Sequence, residues 1–157
     1  MSEDTPRGGL STVSEVEALA DGLAAAADAL HARLMKQIKA HTGDFSDAEQ
    51  AMFRALNDDE QLLRQRADSL YADAATSVLP GLREPQAHIT ALTAAAAEKI
   101  RKIGMVGEVI GVVASLLSLA GNAMSGNIAG VIDAIGQVRT HVAAAEALKP
   151  KPAAPAP

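Results

Sequence analysis

From Val109 to Ile132 the chain runs for 24 residues without a charge. As one helix, at 1.5 Å per residue, that stretch measures roughly 36 Å, enough to cross the hydrocarbon of a bilayer. In water it must be covered instead, because a contiguous apolar patch of that size drives aggregation. Its middle differs from that of an ordinary membrane anchor. Gly121, Asn122, Ser125, Gly126 and Asn127 crowd it, and Gly-Asn followed by Ser-Gly-Asn reads as a turn. A helical hairpin is therefore favoured over one straight span, with residues 103–120 as one arm and 128–142 as the other. Neither arm, counted as strictly uncharged, reaches about 20 residues.

Composition indicates what surrounds this segment. Hydrophobic residues make up 48% of the chain, but 34 residues are Ala, and the only aromatics are Phe45, Phe53 and Tyr71. A core of Ala, Leu, Val and Ile suits closely packed helices better than a sandwich or barrel. The 157 residues amount to one domain. With no cysteine, a disulfide scaffold, a thiol nucleophile and every Cys-based metal site are excluded. The N-terminus is acidic with no apolar stretch behind it, so the expectation is a chain made in the cytoplasm without a signal peptide and exported, if at all, by a leaderless route.

The expected fold is all-α, an antiparallel four-helix bundle-like arrangement ending in an apolar helical hairpin. Residues 1–148 form its single domain, and 149–157 a disordered Pro/Ala tail. Within it, 11–80 supply two amphipathic shielding helices and 86–148 the hairpin. The first helix starts at Thr12 or Ser14, where Thr12-x-x-Glu15 and Ser14-x-x-Glu17 both fit a capping box, and it ends at Thr42-Gly43. Val13, Val16, Leu19, Leu23, Leu30, Leu34 and Ile38 form its stripe, interrupted by the Ala run 24–27. Ser46-x-x-Glu49 opens the second helix, which carries Met52, Leu56, Leu63, Leu70, Ala74 and Val78 on one face. Asn57-Asp58-Asp59 loosens it midway and Pro80-Gly81 stops it. Pro85 fits the first turn of the third helix.

Small residues recur every four positions in the apolar region. Gly107, Gly111 and Ser115 form one row, and Asn122, Gly126, Gly130 and Ala134 another. Positions i and i+4 share a helix face, so each row makes a groove into which a second helix can pack, as small-xxx-small motifs do in lipid. Soluble bundles use such rows for close crossings too. Charge is distributed unevenly: residues 1–98 carry 16 acids and 8 bases, whereas 99–157 carry 3 acids and 6 bases. An acidic first half and a basic, apolar second half suit contact with an anionic membrane. Lys99, Arg101 and Lys102 precede the apolar run as candidate head-group anchors. Glu108 and Asp133 bracket it as candidate cation-selecting rings, or as ordinary charges at helix ends. Nucleic acid is not an expected partner, since no dense basic face with interleaved aromatics exists.

A leaderless single-domain chain of this size with glycine-zipper rows resembles the small membrane-depolarising effectors of bacterial type VI secretion. The resemblance covers about residues 100–140 only. It implies an antibacterial toxin that homo-oligomerises in the target cell's inner membrane as an ion-conducting pore, with a cognate immunity protein and a secretion-tube protein as partners.

No catalytic, metal or cofactor site is expected. His31, His41, His88 and His141 are scattered and form no ligand pair, and Asp58, Asp59 and Glu60 read as a solvated face. Neither a phosphate-binding glycine loop after a strand nor a Gly-x-Ser-x-Gly elbow occurs. Two readings stand beside the pore: a soluble helical interaction or oligomerisation module with a close-packed Gly/Ala core, and an accessory protein anchored by a single span.

Overall fold

The computed structural model describes residues 8–102 and 106–147, with only the helical backbone given at Val106, Gly107, Glu146 and Ala147. The described residues form an all-α bundle of five helices: α1 (Val13–Ala40), α2 (Asp47–Ala72), α3 (Gln86–Lys102), α4 (Val106–Met124) and α5 (Ile128–Ala147). The expected third and fourth helices are thus three elements. Residues 103–105, between α3 and α4, lie outside the described residues, as does the tail at 149–157.

Helix α1 opens at Thr12, whose side chain accepts from the Glu15 backbone N–H. Burial of Glu15 works to raise its pKa, but hydrogen bonds from Ser11 and Thr12 outweigh this and hold the carboxyl below the usual range. Val16, Leu19, Leu23, Leu30 and Leu34 are buried, as the stripe predicts, while Val13 and Ile38 at its ends are exposed. The Ala run does not interrupt the stripe. Ala26 and Ala27 are fully buried, the small side chains that let neighbouring helices approach. The Ser46–Glu49 capping box of α2 is present with both of its hydrogen bonds.

Two expectations for the second helix fail. The helix runs unbroken through Asn57-Asp58-Asp59, because Leu56, Glu60 and Leu63 on its inner face are buried against the bundle. It ends at Ala72, before Pro80-Gly81, and Thr76 and Ser77 donate back to the Asp73 carbonyl in a further turn.

Helix α1 is central. It packs along α2 on one side and α3 on the other. Leu10 meets Gln86 at its start and Arg33 Nη1 donates to the Ile100 carbonyl (3.2 Å) near its end, so α1 and α3 run parallel. Asp21–Tyr71, His31–Glu60 and His41–Glu49 set α2 antiparallel to α1. The polar lead expected over residues 1–10 is, at 8–10, a strap against the loop before α3. Gly9 N donates to Glu84 O and Leu79 N to Leu10 O (both 2.6 Å), and Leu10 is fully buried. A Cβ on Gly8 would overlap the Leu82 carbonyl, so only glycine fits there.

Candidate functional site

The turn between α4 and α5 follows from three residues. Gly126 has φ +71°, left-handed, where a side chain is strained. Its N–H donates to Ala123 O, and Asn127 N–H donates to Asn122 O (3.0 Å), the paired bonds of a Schellman C-cap. Asn127 then caps α5, its Oδ1 accepting from the Gly130 N–H (3.0 Å). The favoured hairpin is thus the observed arrangement, with Gly126 as its hinge. Gly126 is therefore not a member of a packing row, and Asn122 and Gly130 lie on different helices and face each other instead.

Antiparallel register about this turn sets every other contact. A Cβ on Gly130 would overlap the Asn122 amide, and one on Gly111 would come within 2.6 Å of the His141 ring. The small positions are used inside one chain, where α5 side chains and Asn122 fill the space they leave. Ala134 is fully buried. Ser115 is buried and its hydroxyl donates to Val112 O (2.8 Å). Gly107 lies in the first turn of α4, its surroundings outside the described residues. His141 was not singled out from the sequence, although it stands as far after Gly126 as Gly111 stands before it.

Polar groups of the hairpin bond within it. Asn122 Nδ2 donates to Ser118 O and Oγ, Asn127 Nδ2 to Asn122 Oδ1, Ser125 Oγ to Asn122 O, and Thr140 Oγ1 to Gly136 O. Its apolar face, including Val109, Val112, Val113, Leu116, Leu119, Val131 and Val138, is buried. Helix α4 rests on α2 and α5 on α3, with α4 and α5 packed chiefly on each other. Arg139 Nη2 reaches Glu84 (2.7 Å), and Arg66 Nη1 lies 3.8 Å from Met124 Sδ, both tying the hairpin to the body. Ile110 and Ile132 remain exposed at 43% and 53%.

The charged candidates are not gathered. Glu108 lies in the first turn of α4 and Asp133 in the second turn of α5, so the register places them toward opposite ends of the hairpin. Asp133 is exposed and Glu108 half-buried. Of the anchor triplet, Lys99 is buried, Lys102 pairs with Glu98 (2.7 Å) and Arg101 is exposed.

The expectation of a solvated Asp58-Asp59-Glu60 face fails at Glu60. This residue is buried beside α1, 2.6 Å from His31 Nδ1. Burial, with Asp58 beside it, raises the Asp59 pKa. Among the described residues no group of His, Asp and Glu could hold a metal ion, and no helix is long and apolar enough to cross a membrane. Compared with known protein families, curated proteins and solved structures, the chain matches none.

Proposed function

We propose that the protein is a membrane-active effector that stores its α4–α5 hairpin under α2 and α3 and releases it into a bilayer, where it passes small cations and collapses the membrane potential. The observation that carries this reading is that the hairpin's serines and asparagines bond to atoms of the hairpin itself. Unsatisfied polar groups are costly in lipid, and a hairpin that brings its own acceptors avoids much of that cost. The uncharged part of α4, Val109 to Met124, is roughly 24 Å long against a core of about 30 Å, so insertion is seated with local bilayer thinning. The resemblance to type VI effectors supplies the context of this proposal: an antibacterial role, an oligomer in the target's inner membrane, an immunity protein and a secretion-tube protein.

A second reading, a soluble interaction module, is favoured by one observation. Gly111 and Gly130 are already filled by His141 and Asn122, which leaves these two positions closed to another copy.

Purified protein added to vesicles holding a K⁺ gradient separates the two. The pore reading expects rapid depolarisation without leakage of large dyes. Ile110→Lys and Ile132→Lys place a charge on side chains that are exposed in the fold, so the bundle persists while insertion of each carries an added cost. That cost is below the roughly 2.5–3.5 kcal/mol of a lysine at the membrane centre, because both lie toward the ends of their arms. Both variants should lose most depolarising activity. A potential that holds with the wild-type chain overturns the pore and leaves the module.

A further inference from the structure

No residue from Met35 to Ala55 is buried, yet this span holds both phenylalanines of the chain. It is the tip at which α1 turns into α2. The tip overhangs because α1 continues beyond Arg33, its contact with α3 near Ile100, for seven residues or roughly 10 Å. Its shape is fixed. Phe45 stands edge-on to Phe53 (centroids 5.1 Å apart) and against the His41 ring (4.2 Å), while His41 Nε2 lies 2.8 Å from Glu49. Met35 and Ile38, at 38% and 39% exposure, continue the apolar surface along α1, and Met52 is half-buried on α2.

Charge indicates what covers this surface. The tip carries Lys36, Lys39 and Arg54 beside Asp44, Asp47 and Glu49, a balance of three and three inside an otherwise acidic half of the chain. All but Glu49 are exposed and make no ion pair among the described residues. With Asp44, Asp47 and Glu49 offsetting Lys36, Lys39 and Arg54, the tip offers an anionic lipid surface or an acidic peptide no net attraction. A patch with its bases mainly on the end of α1 and its acids on the loop and start of α2 is complementary to itself under a two-fold rotation.

We propose that two copies of the chain associate through this tip, with the phenylalanines at the centre and Lys36 and Lys39 of each copy facing Asp44 and Asp47 of the other. Standard interfaces take about 20–30 residues a side, and the tip offers one face of fewer, so the association is weak, in the micromolar range. It stands independently of what the hairpin does.

Sedimentation equilibrium of the full chain tests it. The mass should rise from 16.1 kDa toward twice that value as concentration passes through the micromolar range. Phe45→Ser should raise the dissociation constant at least about tenfold. The double variants Lys36→Glu/Lys39→Glu and Asp44→Lys/Asp47→Lys should each lose self-association and recover it when mixed, a rescue that misfolding would not produce. Monomer mass at every concentration overturns the proposal, as does a dimer unchanged in all three variants. So does a tip whose variants lose binding to anionic vesicles while the dimer mass is unaltered.

Discussion

Tyr71 donates a hydrogen bond to Asp21 across the α1–α2 interface. That bond, with burial and the carboxylates of Asp21, Glu17 and Asp68 nearby, pushes the phenol from 10 up to about 12. A raised folded-state pKa means that the bound proton stabilises the fold. The contribution is complete below pH 10 and is lost as pH climbs through 12. Tyr71 is the only tyrosine and there is no tryptophan, so phenolate absorbance reports this one group. Its midpoint should lie near 12, and Asp21→Asn should move it back toward 10. A wild-type midpoint at 10 would remove the bond from the solution structure.

At the scale of the element, glycines that look alike in sequence differ by what faces them. A Cβ on Gly22 of α1 would lie 2.6 Å from Thr93 Oγ1 and 2.8 Å from Thr93 Cβ, atoms near the α3 backbone with little room to yield. Gly136 of α5 has nothing within 4 Å. Gly22→Ala should therefore cost about 1–2 kcal/mol in urea unfolding despite better helix propensity, and Gly136→Ala should gain about 0.5–1 kcal/mol. Equal effects would mean that the α1–α3 crossing is looser than described. Sequence pattern could not make this distinction. Periodicity located the Leu stripes, and the Ser46-x-x-Glu49 pattern located one cap, the other being narrowed to Thr12 or Ser14. Gly-Asn and Ser-Gly-Asn placed a turn between Gly121 and Asn127. All of these signals are local. Gly22, Arg66, His141 and the Glu60–His31 pair acquire meaning only from a neighbour on another helix. The expected row through Gly126 failed for the same reason: spacing is blind to a turn that transfers half of the row to a different element.

Across the whole molecule, α1 is held between two helices along most of its length, the hairpin rests on the body with one face, and the α1–α2 tip has no buried residue. Local opening should follow that order. In native-state hydrogen exchange, amides between Leu19 and Leu30 should exchange slowest, those of α4 and α5 faster, and those around Phe45 fastest. A hairpin as protected as α1 would show that it opens only with global unfolding, which is contrary to storage for release.

The parallel pairing of α1 with α3 also sets a schedule for synthesis. Helices α1 and α2 can close as soon as Ala72 has left the ribosome, but the groove beside Gly22 and Arg33 waits for residues 86–102. At about 5–20 residues per second that interval lasts roughly 2–6 s, during which the groove is open to chaperones. The hairpin is translated after all three of these helices. The most apolar part of the chain therefore emerges onto a platform that is already assembled.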